Sequence, residues 1–127
     1  MSIRLTPAFR PEAIKGYHAH VYYADDAERA VAAAIRKAAP ASFELVMGRW
    51  RDEPVGPHPL PMYQMAFERA LFPDFVPWLQ SVRGPLSILV HTSTGISDLM
   101  DHSVGAMWLG RSLELKLDFF DRDGKSA

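Results

Sequence analysis

Cysteine is absent from the chain, and that excludes disulfides, thiolate zinc sites, iron–sulfur clusters and a cysteine nucleophile at once. Any metal must be held by nitrogen and oxygen. No apolar run is long enough to span a bilayer, and Met1 to Lys15 lacks the apolar core of a signal peptide. A cytoplasmic protein without a membrane partner is the expectation. Neither sign of charge dominates, since 14 Lys and Arg stand against 15 Asp and Glu for a net charge of -1. With no basic run either, electrostatic capture of nucleic acid is not expected. What is present suits a folded domain: hydrophobic residues make up 48% and charged residues 23% of 127 positions. That length fits one core.

Periodicity divides the chain. Residues 1–15, with Pro7 and Pro11, read as a loosely ordered lead-in, residues 16–120 as one domain, and 121–127 as a charged, flexible tail. Tyr17 to Tyr23 alternates, with Ala19 and Val21 on one side and His18, His20 and Tyr22 on the other, which is strand period. Asp25 and Glu28 have the spacing of a helix capping box, and Ala27, Ala30, Val31, Ala34, Ile35 and Ala38 follow along one helical face up to Pro40, the expected stop. Phe43–Met47 reads as a second strand. Four prolines and Gly56 between Trp50 and Pro61 mark an ordered loop. Met62–Phe67 is a third strand, Phe72 to Val82 a helix stopped by Gly84 and Pro85, and Leu86–Thr92 a fourth strand. A helical turn around Asp98–His102, then Ala106–Leu109 and an alternating Leu113–Leu117, complete the chain.

Strand, helix, strand, strand, helix, strand is the α+β order of a ferredoxin-like split βαβ domain. An antiparallel sheet is expected in the order 4-1-3-2, with helices on one face and the two central strands, one and three, parallel. The other face is left for a ligand, a partner or the C-terminal segment. His18 and His20 share that face, and His91 has its phase on strand four. A parallel third strand would carry the preceding loop, with His58, to the same end. Neutral imidazoles, three together or two with a carboxylate from Asp98 or Asp101, would hold a first-row metal with open positions. Iron suits binding of a catecholate beside dioxygen, zinc suits hydrolysis. Spacing alone leaves each histidine equally readable as a satisfied polar group. Trp50, Trp78 and Trp108 read as core or interface.

Several stretches in order carry more information than any one of them. Gly16-Tyr-His-Ala-His-Val-Tyr-Tyr23, Pro54-Val-Gly-Pro-His-Pro-Leu-Pro-Met-Tyr63, Leu86-Ser-Ile-Leu-Val-His-Thr92, Asp101-His102 and Ala106-Met-Trp-Leu-Gly110 resemble the DOPA 4,5-dioxygenase family, as do Val76-Pro-Trp-Leu79 and Arg83-Gly84. The resemblance spans residues 16–117. It implies a ferredoxin-like domain that opens a catechol ring with ferrous iron and dioxygen, although a purified sample could carry another divalent metal such as zinc. It carries over His20, His58 and His91 as metal ligands, with His18 in reserve, and His102 or His18 as the proton shuttle. Arg49 and Arg51, able to clamp a carboxylate, and Tyr63 are the expected substrate contacts. Thr92-Ser-Thr-Gly95 departs from the proline-containing form common after the histidine. The competing expectation is a catalytically silent homodimer joined through the open sheet face, its histidines structural; a zinc hydrolase is disfavoured because no nucleophile or glutamate base accompanies them.

Overall fold

β1 (Gly16–Tyr22) is the strand on which the domain is assembled, because it pairs on both edges and is two-faced in sequence. The computed structural model describes residues 2–122. After β1 come α1 (Asp26–Ser42), β2 (Val46–Met47), β3 (Met62–Glu68), α2 (Phe72–Val82), β4 (Ile88–Ser93), α3 (Asp98–Asp101), β5 (Ala106–Leu109) and α4 (Asp118–Arg122). They form one sheet in the order β2-β3-β1-β4-β5. The ferredoxin-like order 4-1-3-2 is present, with β5 added outside β4.

One expectation about direction is corrected. β1 and β3 are antiparallel, Gly16 facing Glu68 and Tyr22 facing Met62. The reason is that β2 and β3 are antiparallel neighbours joined by a loop with no crossover helix, which reverses the chain, while each helical crossover returns a strand parallel to the one it left. His58 therefore arrives at the C-terminal end of β1, not its start, and that is the end where His20 lies.

Alternation sorts the residues of β1. Ala19 and Val21 are fully buried against Ile35 and Ala39 of α1, Met65 and Phe67 of β3, Phe75 and Leu79 of α2, and Ile88 and Val90 of β4. Both long helices cover this face, and each large apolar side chain buried there contributes about 1.5–3 kcal/mol. Asp25 caps α1 by accepting the Glu28 amide at 2.8 Å, while the Glu28 carboxylate reaches back to the Ala24 amide at 2.9 Å. The expected stop at Pro40 does not hold, since α1 runs to Ser42. Pro40 is exposed in the last turn, so its missing N–H costs one bond, and the Phe43 amide closes the helix on the Ala39 carbonyl. Arg36, mid-helix as a result, lies over the rings of Trp50 and Tyr63 and donates to the Gly48 carbonyl at 2.8 Å.

β2 is shorter than Phe43–Met47, and a bulge follows it. Between the pairs Met47–Met65 and Arg51–Met62, three residues (Gly48, Arg49, Trp50) stand against two (Tyr63, Gln64). Leu113–Leu117 forms no strand. Instead Leu113 and Leu115 lie across the second sheet face on Tyr22, Met62 and Leu89, and Phe120 reaches His102, so the segment from Leu113 to Phe120 forms a strap over part of the face that the helices leave open. The end of the lead-in is tied down, with the Lys15 amide on Ser93 and Arg69 on the Ile14 carbonyl. The expected tail lies, from residue 123, outside the described residues. Among the described residues no helix is long and apolar enough to cross a membrane.

Phe75 touches Phe43, Phe67 and Trp78 and is fully buried. Phe75→Ala should lower unfolding stability by about 3–5 kcal/mol in urea denaturation. A loss under about 1 kcal/mol would mean that this face is not the core.

Candidate metal centre

The second sheet face is a grid whose rows are set by register. His18 of β1 pairs with Ala66 of β3 and His91 of β4, and His20 pairs with Gln64 and Leu89. His18, His20 and His91 thus leave the same face on adjacent strands. The loop before β3 folds His58 over them, and the turn after α3 brings His102 in from the far side. All five histidines of the chain meet here.

The contacts are close. His20 Nε2 lies 3.1 Å from His91 Nε2. Ring centroids are 4.2 Å apart for His20 and His58, 4.0 Å for His91 and His102, and 5.0 Å for His18 and His91. Two sets of three have donor nitrogens within 4.8 Å of one another: His18, His20, His91 and His20, His58, His102. The expected ligands His20, His58 and His91 are all at the centre, but they divide between these sets. His20 is common to both, and His58 stands with His102.

Hydrogen bonds decide which nitrogens are free. A carbonyl oxygen only accepts, so His91 donates from Nδ1 to the Thr92 carbonyl at 2.8 Å, and His102 donates from Nδ1 to the Asp98 carbonyl at 2.7 Å. In each neutral ring Nε2 is then a bare lone pair. Met62 Sδ, 3.5 Å from His20 Nδ1, is likewise an acceptor. A proton on His20 Nδ1 would leave two lone pairs facing each other across 3.1 Å. That arrangement is repulsive unless a proton or cation lies between them. Two imidazoles bound at about 2.0–2.1 Å to one metal would hold their nitrogens about 3.0–3.4 Å apart, so the spacing fits a shared ion. The donor set fits as well, being all imidazole with no thiolate.

Burial keeps these rings neutral. It pushes His58 down to about 4 and His91 down to about 2, with His102 adding to both. His20 is held well below the ordinary imidazole range by burial and by His58 and His91. His18 and His102 are also lowered by burial, while the carboxylates of Asp98 and Asp101 pull each of them the other way.

The remaining expected residues fare differently. Asp101 is no free ligand: its buried carboxylate accepts from Thr92 Oγ1 at 2.7 Å, from the Thr94 amide at 3.1 Å and from Thr94 Oγ1 at 3.0 Å. It fastens the segment carrying His102 to the strand carrying His91. Tyr63 is not a substrate contact. It is fully buried on the helix face and donates to the Ala32 carbonyl at 2.6 Å, because its place in β3 gives it the phase of Met65, not of Met62. Arg49 is exposed in the bulge. Arg51 pairs with Met62 and so leaves on the histidine face. Trp50 and Trp78 pack against the helix-side core and Trp108 against the cluster of Tyr22 and Leu89.

Three residues of the site were not anticipated. Tyr22 Oη lies 2.7 Å from His58 Nδ1 and fixes that ring; its shared phase with His18 and His20 was the available signal. Met62 touches His20. Phe120 packs on His102 at a tilt, with centroids 4.8 Å apart, a contact through the strap that no local pattern announces.

The sequence model of the Dopa 4,5-dioxygenase family matches residues 17–119, a span that holds every histidine of the site. The chain belongs to this family. It is 33% identical over 112 residues to DOPA 4,5-dioxygenase of Amanita muscaria, covering 82% of this chain and 49% of that protein. An uncharacterized 21.2 kDa protein of Botryotinia fuckeliana is 40% identical over 86 residues, 62% of this chain and 47% of the other. This family member therefore spans about half the length of the curated relatives it matches. The crystal structure of a candidate dioxygenase from Nostoc punctiforme superposes with a TM-score of 0.85 at 46% identity, covering 90% of this chain and 97% of that one.

Acid should unfold the metal-free protein through these rings. An unfolded histidine binds its proton near pH 6.5, whereas folded His58 and His91 resist protonation until about 4 and about 2. Over that window the unfolded state holds more protons, so stability falls as pH falls, by about 1.4 kcal/mol per unit for each such ring. Melting temperatures measured from pH 7 to 4.5 should drop steadily, and His58→Gln should flatten the slope. A flat profile would place the histidines in solvent.

Proposed function

We propose that this chain is an extradiol dioxygenase that opens a catechol such as DOPA by 4,5-cleavage, using non-haem Fe(II) and O2. The supporting observation is the convergence of five imidazoles in which Nδ1 of His91 and His102 is tied to a carbonyl and Nε2 is left as a donor. Membership of the Dopa 4,5-dioxygenase family and the Amanita relative point to the same chemistry. Fe(II) held by these imidazoles would supply the redox chemistry with dioxygen that neither the protein nor a closed-shell ion offers.

The protein's own part is to position, to accept protons and to exclude water. His20 and His91, with His18, form the buried wall that would hold the ion; His58, fixed by Tyr22, closes it from the loop side. His102 can take a catechol proton at Nε2 because its Nδ1 is already committed to Asp98, and the carboxylates of Asp98 and Asp101 favour the imidazolium that results. His18, half-buried on the open side, is placed to do the same. Leu113, Leu115 and Phe120 keep water from the opposite flank. The reaction balances without a further reductant: one ring C–C bond next to the diol breaks, and both atoms of O2 enter the product as the new carboxylate and aldehyde oxygens.

Iron-loaded protein mixed with DOPA in air should consume one O2 per catechol and form a yellow semialdehyde. His20→Ala and His91→Ala should each reduce turnover at least about 100-fold while the fold persists. Folded, metal-loaded protein that opens no catechol would overturn the reading.

A further inference from the structure

A cavity of about 560 Å³ adjoins the histidine cluster and shares His18 with it. Its floor follows from register. His18, Ala66 and Val46 form one row across β1, β3 and β2, and Gly16, Glu68 and Ser93 the next. Glu44, two residues before Val46, falls on the same side by alternation. Small residues at Gly16 and Ala66 make the floor concave. Gly16 admits nothing larger, because a Cβ there would meet the Phe67 carbonyl oxygen at 2.6 Å. On the β5 side the strap covers the face, and His18 is the residue that the cavity and the histidine cluster have in common.

The rim is charged on opposite sides. Glu44 and Glu68 flank the β2–β3 end, and Lys15 stands across from them by Gly95. Among the described residues none of these three makes an ion pair with another. From His18 across to Val46 is two strand spacings, about 9–10 Å, which is the reach of a catechol ring and a two-carbon chain.

We infer that this cavity receives the ring substituent of the substrate, with Glu44 and Glu68 selecting a short chain that bears an ammonium group and Lys15 accepting a carboxylate beside it. The inference rests on the ring-opening reading for the position of the diol. Two carboxylates against one ammonium make cationic and zwitterionic catechols preferred over anionic ones of equal length.

The experiment compares dopamine, DOPA, 3-(3,4-dihydroxyphenyl)propionate and unsubstituted catechol, by anaerobic calorimetry and by kcat/KM, on the iron-loaded protein. The amine and the amino acid should be favoured over the acid at least about threefold, and the double reversal Glu44→Lys, Glu68→Lys should move that ratio at least about tenfold towards the acid. Ala66→Leu, which raises the floor, should weaken every chain-bearing catechol relative to catechol itself by about tenfold. If catechol is opened but the charge ratio ignores the reversal, the cavity assignment falls alone. If binding follows the charge reversal and no catechol is opened, the cavity assignment stands and the ring-opening reading falls.

Discussion

The pairing register between β1 and its two neighbours is the constraint on which the rest depends. His18 opposite His91, with His20 one row further, exists only while β1 keeps this register. A slip of one residue would turn the histidines into the helix-packed core and Ala19 and Val21 out of it. The cost of such a slip is large on both counts, since several fully buried apolar side chains would be exposed and several imidazoles desolvated without partners. The hydrophobic face thus enforces the placement of the polar one. Fold and site are held by a single alternation along seven residues of β1.

Gathering five imidazoles is unfavourable for the free protein, and the surroundings offset this in specific ways. Burial keeps the rings neutral, which removes mutual repulsion. Backbone carbonyls fix two of them at Nδ1, and Tyr22 holds a third. Asp101, though it sits one residue from His102, is spent on Thr92 and Thr94 and acts as a clasp between α3 and β4. The strap supplies the remaining cover through Leu113, Leu115 and Phe120. The nitrogens of His20 and His91, 3.1 Å apart, need a proton or a cation between them. A cation can take that place as a proton can, so the arrangement is able to hold a metal ion.

Much of this was legible in the residues because it is local. Alternation in Tyr17–Tyr23 and Leu86–Thr92 separated His18, His20 and His91 from the core, and the capping pattern at Asp25 and Glu28 is seen as bonds. What was not legible depends on three-dimensional closure. The direction of β3 follows from its antiparallel pairing with β2, not from any residue within it, so His58 reaches the site at the opposite end of β1 from the one its spacing implies. Tyr63 sits in a motif beside functional residues, yet its phase in β3 sends it to the Ala32 carbonyl. The bulge at Gly48–Trp50 breaks alternation and reassigns Arg49 and Arg51 to different surroundings. Pairing of His58 with His102, and the cover by Phe120, join segments that no periodicity relates.

The central claim is that these imidazoles share one ion, and it can be read without turnover. Titration of the metal-free protein with Fe(II) under argon, followed by ring-nitrogen NMR of all five histidines, tests it directly. The account predicts saturation at one equivalent, with Nε2 of His20 and His91 perturbed first and Nδ1 of His91 still protonated on Thr92. Resonances of His20 and His91 that remain unchanged through saturation, or metal taken up only elsewhere on the chain, would contradict it.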